Sequence, residues 1–135
     1  MKAVVDTNVV AYYLLGTEPF ANETRAFWRR VSEPVAPASW LIELTNVLWL
    51  SCRHGVLTEH AALDRLALAQ RLGIRSISVR SLSRGALARA LRSGLAAYDA
   101  IFVELAVRRR LPLVTYDRRI SDAFPDVARR PDQLT

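Results

Sequence analysis

Four of the thirteen acidic residues stand where carboxylates are unusual. Asp6 ends the apolar run Lys2-Ala3-Val4-Val5. Glu43 lies within Trp40-Leu41-Ile42-Glu43-Leu44-Thr45-Asn46-Val47-Leu48-Trp49. Asp99 lies within Ala96-Ala97-Tyr98-Asp99-Ala100-Ile101-Phe102-Val103, and Asp117 follows Leu111-Pro112-Leu113-Val114-Thr115-Tyr116. By contrast, Glu18, Glu23, Glu33, Glu59, Asp64, Asp126 and Asp132 sit among polar neighbours and read as solvated or capping groups. Carboxylates gathered roughly 5 Å apart would repel by about 3 kcal/mol per ionised pair at an effective dielectric near 20, so four together cost on the order of 20 kcal/mol. That exceeds the whole stability of an ordinary domain. Such a cluster must bind protons or cations. An all-oxygen site suits Mg²⁺ or Mn²⁺. With His54, His60 and Cys52 as the only imidazoles and thiol, zinc is a poor match. For Asp6 or Asp117 alone, a helix cap or a nearby Arg partner is an equally good reading.

The elements that carry these acids decide whether they can meet. Lys2–Val5 reads as a short buried strand, followed by a helix capped by Thr7 or Asn8. Gly16 to Pro19 makes a turn. A helix spans Phe20 to Val31 with Phe20, Thr24, Phe27 and Val31 on one face. Pro34–Pro37 is extended. Ser39 is placed to cap an apolar helix, Trp40–Arg53, which ends near Gly55. A helix follows from Thr58 to Leu72, then a strand over Ile74–Val79 and a helix from Ser81 or Ser83 to Leu91. A further helix covers Ala96–Arg109 with Tyr98, Phe102, Leu105 and Ala106 on its apolar side. Leu111–Thr115 is a strand, Arg118–Phe124 a short helix or turn, and a last edge strand is expected near Val127. Alternation of helices and strands implies an α/β fold with a mostly parallel sheet of four or five strands. Asp6 and Asp117 then fall at the carboxyl ends of strands, where open α/β sheets bind ligands. Glu43 and Asp99 lie near helix starts and can face the same edge.

The 135 residues are 51% hydrophobic, enough for one domain, 1–135, with its own core. The single Cys52 excludes an internal disulfide. The chain has neither a signal-peptide pattern nor an apolar run long enough to span a bilayer, so a cytoplasmic protein without a membrane association is expected. The net charge is +6, and Lys2 is the only lysine. An Arg-rich basic chain suits phosphate-bearing polyanions, although a GC-rich genome explains the Arg preference equally well.

In their order and spacing, Val4-Val5-Asp6-Thr7-Asn8-Val9-Val10, Glu43-Leu44-Thr45-Asn46-Val47-Leu48, Tyr98-Asp99-Ala100-Ile101-Phe102-Val103-Glu104-Leu105-Ala106 and Leu113-Val114-Thr115-Tyr116-Asp117-Arg118-Arg119 resemble the PIN domain, and within it the VapC-type toxins of toxin–antitoxin pairs. The resemblance covers essentially the whole chain. It implies an α/β/α sandwich and a metal-dependent endoribonuclease that cleaves structured cellular RNA and inhibits translation or growth. It also implies that Asp6, Glu43, Asp99 and Asp117 form the catalytic quartet. Asp6, Asp99 and Asp117 are then the metal ligands for one or two Mg²⁺ or Mn²⁺ ions, and Thr7, Asn8 and Thr115 line the site. Arg108, Arg109, Arg110, Arg118 and Arg119 become candidates for RNA backbone contacts, with a solvated helix end as the alternative for the first three. Asp122 is a weaker candidate acid, better read as solvated. The surplus apolar surface of Trp40–Leu50 reads as a homodimer contact or the seat of a VapB-like antitoxin helix; a fully buried central helix is the alternative.

Two other classes compete. An aspartyl phosphotransferase or a response-regulator receiver also starts with strand-Asp. The phosphotransferase needs a second Asp two residues on, where this chain has Asn8, and both need a later lysine that the chain lacks. A non-catalytic PIN-like RNA-binding or scaffold domain is the second alternative, against which the four intact acids weigh.

Overall fold

A computed structural model describes residues 1–134. Five strands, β1 (Lys2–Val5), β2 (Glu33–Pro37), β3 (Arg75–Ile77), β4 (Leu113–Val114) and β5 (Ala128–Arg129), form one sheet in the order β3-β2-β1-β4-β5. Every neighbouring pair is parallel, so the sheet is wholly rather than mostly parallel. In β1, Val4 pairs with Val35 on one side and Leu113 on the other. Ala3, Val4 and Val5 are fully buried, which is why this segment reads as a continuous apolar run and not an alternating one.

The helices are α1 (Thr7–Leu15), α2 (Ala21–Arg30), α3 (Trp40–Arg53), α4 (Glu59–Ala69), α5 (Val79–Ser93), α6 (Ala97–Arg109) and α7 (Arg118–Ala123), with a short 3₁₀ turn at Pro131–Gln133. From β1 the chain advances through β2 to β3; it then crosses back to β4 and β5. Right-handed crossovers in opposite directions put α1 to α4 on one face and α5 with α6 on the other. α6 lies across β1, β2 and β4 and carries α5 outside it. It is buried from Ala100 through Ala106. The direction reverses at β1 and β4, so their adjacent carboxyl ends open a crevice at the switch point of the sheet.

Several boundaries differ from the expectation. Asp6 itself caps α1, its side chain accepting from the Thr7 N–H; Thr7 and Asn8 lie inside the helix. Phe20 stands outside α2 and stacks on Tyr12 with ring centroids 4.7 Å apart. Ser39 precedes α3 but its hydroxyl makes no capping bond. The strand expected over Ile74–Val79 shrinks to Arg75–Ile77 because α5 already begins at Val79. β3 is an edge strand with only β2 beside it, so alternation there is a weak guide to length. Tyr98, expected on the apolar side of α6, is 75% exposed.

Candidate active site

Each of the four carboxylates reaches the crevice from a different element. Asp6 follows β1 and Asp117 follows β4, while Glu43 and Asp99 sit in the first turns of α3 and α6. All four line one cleft of about 920 Å³, together with Thr7 and Asn8. The backbone explains the convergence: parallel strands deliver their ends to one edge, and the helices that follow start there.

A hydrogen-bond network holds the floor of the cleft. Oδ1 of Asp6 accepts from the Thr7 N–H at 2.7 Å, and Oδ2 accepts from Thr115 Oγ1 at 2.7 Å and from Asn8 Nδ2 at 3.4 Å. Thr115 Oγ1 in turn accepts from the Asp117 N–H at 3.0 Å. Asn8 Oδ1 accepts from the Tyr116 N–H at 3.3 Å, tying the start of α1 to the end of β4. Thr7 Oγ1 donates to Glu43 Oε1 at 3.4 Å. Thr7, Asn8 and Thr115 therefore act on the acids directly: they orient carboxylates and carry the strand-end spacing.

The acids differ in how they are charged. Burial pushes the Asp6 carboxyl up to about 6, helped by the charges of Asp99 and Asp117 and opposed by the Thr115 and Thr7 hydrogen bonds. Burial likewise pushes Glu43 up to about 7, with Asp6 and Asp99 adding repulsion. Asp99 is raised by burial and by Asp117, with Arg119 opposing. Asp117 goes the other way: burial works against its charge, but hydrogen bonds from the Arg119 side chain and N–H outweigh it. Arg119 offsets charge at Asp99 and Asp117, whereas hydroxyl and amide groups are what touch Asp6 and Glu43. The Asp6–Glu43 end of the cleft is short of positive charge.

That imbalance is what a hard divalent cation would correct, and the donor set is wholly oxygen. Among the described residues no three acids, histidines or cysteines stand close enough to ligate one ion together. The fit is therefore to an ion that keeps part of its water shell, as Mg²⁺ does.

Other expected residues fall elsewhere. Arg108 is engaged with Glu104 and with the Ser81 carbonyl. Arg109 lines a separate cavity with Lys2 and Arg75, at the opposite edge of the sheet, and Arg110 lies beside Leu111 and Pro112. Ten residues of helix separate Asp99 from Arg109, about 15 Å at 1.5 Å per residue, so these three arginines do not surround the cleft. Arg118 lines a neighbouring cavity with Tyr116, Arg129 and Arg130. Arg119 lies in the cleft. Asp122 is exposed on α7 and does not line it.

Three residues escaped the sequence reading. Asn46 lines the cleft one helical turn from Glu43, a relation that the i, i+3 spacing already contained. Tyr98 lines it beside Asp99. Glu104, 7% exposed, is as buried as Asp6, but it belongs to an ion triad with Arg89 and Arg108 and does not line the cleft.

A wholly parallel α/β sheet with carboxylates gathered at its switch point defines a class, and the comparison with known families agrees. The PIN domain family matches residues 3–127, and the chain belongs to that family. It is similar to Ribonuclease VapC3 of Pyrobaculum aerophilum, with 30% identity over 128 residues that span 93% of this chain and 96% of that protein. Its fold is similar to a chain of a toxin–antitoxin complex from Klebsiella pneumoniae, with TM-score 0.64, 19% identity, and 96% and 97% of the two chains covered. It is also similar to a chain of VapBC2 from Rickettsia felis bound to a DNA fragment from their promoter, with TM-score 0.66, 13% identity, and 96% and 98% covered. The family expected from the four acids is the family found.

Proposed function

We propose that the protein is a Mg²⁺- or Mn²⁺-dependent endoribonuclease and the toxin of a toxin–antitoxin pair. The observation that carries the reading is the gathering of Asp6, Glu43, Asp99 and Asp117 from four elements around one cleft. Its similarity to Ribonuclease VapC3 supports the reaction, and its likeness in fold to chains of a toxin–antitoxin complex and of VapBC2 supports the antitoxin partner.

Asp6, Asp99 and Asp117 would hold the cation partly through its own water shell, with Glu43 beside them. When bound there, a divalent ion would supply an acidified water and charge stabilisation for the leaving oxygen of a phosphodiester. The chain supplies the rest. Thr115 and the Thr7 N–H keep the Asp6 carboxylate aimed into the cleft. Glu43, pushed up to about 7, accepts a proton at its carboxylate near neutral pH. Tyr98 offers an exposed ring at the rim on which a splayed base can stack. A recessed acidic floor is reached most easily by single-stranded or looped RNA.

The partner surface lies on α3. Trp40, Leu44 and Leu48 face the core, while Ile42 is 68% and Trp49 53% exposed. A nearly wholly apolar groove of about 380 Å³ runs between α3 and α4, lined by Leu48, Trp49, Leu63 and Leu66 among others. An apolar segment of a VapB-like antitoxin fits it, and a second copy of the chain is the other occupant.

Purified protein incubated with structured RNA tests the activity. Cleavage is expected with Mg²⁺ or Mn²⁺, and its loss with chelator or in Asp6→Asn and Asp99→Asn. Equal cleavage by the variants, or in chelator, overturns the reading.

A further inference from the structure

The guanidinium of Arg119 bridges two of the four acids. Its Nη2 is 3.4 Å from Asp99 Oδ2 and 3.2 Å from Asp117 Oδ2, and its Nε is 3.5 Å from Asp117 Oδ1. The Arg119 N–H also donates to Asp117 Oδ1 at 2.9 Å, fixing the start of α7. The side chain is nonetheless 71% exposed. What holds the guanidinium is these two carboxylates, and water is ready to replace them.

A divalent cation on Asp99 and Asp117 claims the same oxygen lone pairs and repels the guanidinium at close range. The two positive groups cannot share the pair. We propose that Arg119 is a built-in competitor of the divalent cation for Asp99 and Asp117, and that cation binding releases its guanidinium to the mouth of the cleft to hold an RNA phosphate. The inference rests on the cation reading of this site.

The chemistry of the residue fits this exchange. A planar fork bridges two carboxylates as a lysine ammonium cannot, and the same fork matches a phosphate. A helix of six residues brings it to the site, so release needs only side-chain rotation. Without the cation the fork offsets the charges of Asp99 and Asp117; with it, the offset is redundant. A phosphate that captures the freed guanidinium keeps it off the acids, so substrate and cation strengthen each other's binding.

Calorimetric titration of Mn²⁺ into the full chain, wild type against Arg119→Ala, separates competition from simple support. Arg119→Ala is expected to bind Mn²⁺ about three- to tenfold more tightly, as removal of exposed ion pairs allows. Arg118→Ala, which removes the adjacent charge without touching these acids, is expected to bind as the wild type does. In melting scans, Arg119→Ala is expected to melt below the wild type in chelator and to match or exceed it in saturating Mn²⁺. Binding by Arg119→Ala that is equal to or weaker than wild type overturns the inference, as does equal tightening by Arg118→Ala or an equal melting deficit with and without Mn²⁺. No Mn²⁺ binding by the wild type or the variant overturns the cation reading and this inference with it.

Discussion

Thr115 Oγ1 donates to Asp6 Oδ2 at 2.7 Å across 109 residues of sequence. The bond joins the ends of adjacent parallel strands, and both residues are buried. It lowers the cost of an ionised Asp6 and fixes which way the carboxylate points. Removing only the hydroxyl, in Thr115→Val, leaves Asp6 short of a donor and the Asp117 N–H short of an acceptor. A loss of about 1–3 kcal/mol is expected from unsatisfied buried groups, read as a lower urea midpoint, together with weaker cation binding. An unchanged midpoint would mean that the hydroxyl is dispensable.

Asp6→Asn separates function from stability. The amide keeps an oxygen for the Thr7 N–H but loses the charge. RNA cleavage is expected to drop by at least about 100-fold, the order seen when a key electrostatic group of an active site is removed. The cation-free fold is expected to be as stable as the wild type at neutral pH, because the native Asp6 is charged there at the expense of burial. A large fall in melting temperature in chelator would assign Asp6 a structural role instead.

Stability without the cation is expected to fall as pH rises from about 4 to about 7. Asp6 moves from 3.8 to about 6 on folding, so the folded state holds its proton more tightly than the unfolded chain. Its contribution is complete below the unfolded value and is lost as pH rises through 6, about 3 kcal/mol in all. Glu43 acts in the same direction between 4.5 and about 7. Asp117 is shifted down, so its contribution is lost only in stronger acid and leaves this window untouched. Urea midpoints across this range in chelator check the slope, and Mn²⁺ at the alkaline end is expected to restore the loss. A rising midpoint would contradict the assignment.

Gly85→Ala gives an opposite sign to the one helix propensity suggests. In an exposed helix the change gains about 1 kcal/mol. On α5, however, a Cβ at Gly85 would overlap the carboxyl group of Glu104. That carboxylate is pinned by Arg89, at 2.8 Å, and by Arg108, and cannot turn away without breaking the triad. A loss of about 1–3 kcal/mol is expected, as for other overpacked sites. Glu104→Ala in the same background is expected to remove most of the antagonism in a double-mutant cycle. A stabilised Gly85→Ala would show that the carboxylate yields freely.

Much of the fold is legible in local chemistry. The apolar run before Asp6, the caps at Thr58 and Gly94 and the apolar span of α6 each follow from neighbours in the chain. The edge strand β3 and the start of α5 do not, because a short strand paired on one side is set by its partner. The same division runs through the site. Asp6, Glu43, Asp99 and Asp117 stand out because carboxylates in apolar surroundings need a reason. Glu104 sits in surroundings just as apolar; its i, i+4 spacing from Arg108 offers one partner in its own helix, but the second, Arg89, comes from another helix that nothing in its segment indicates.

By itself, then, the sequence determined which residues are too costly to bury unless they do something, since that cost is set by side-chain type and local hydropathy. The parallel order of the strands followed from the alternation of elements in the same way. Only the tertiary structure decided which charges meet. It put Arg119 against Asp99 as well as its neighbour Asp117, sent Arg109 and Arg110 to the far edge of the sheet, and brought Arg89 to the local Glu104–Arg108 pair. Electrostatic partners are chosen by distance in space, and a crossover between sheet faces makes that distance unrelated to distance along the chain.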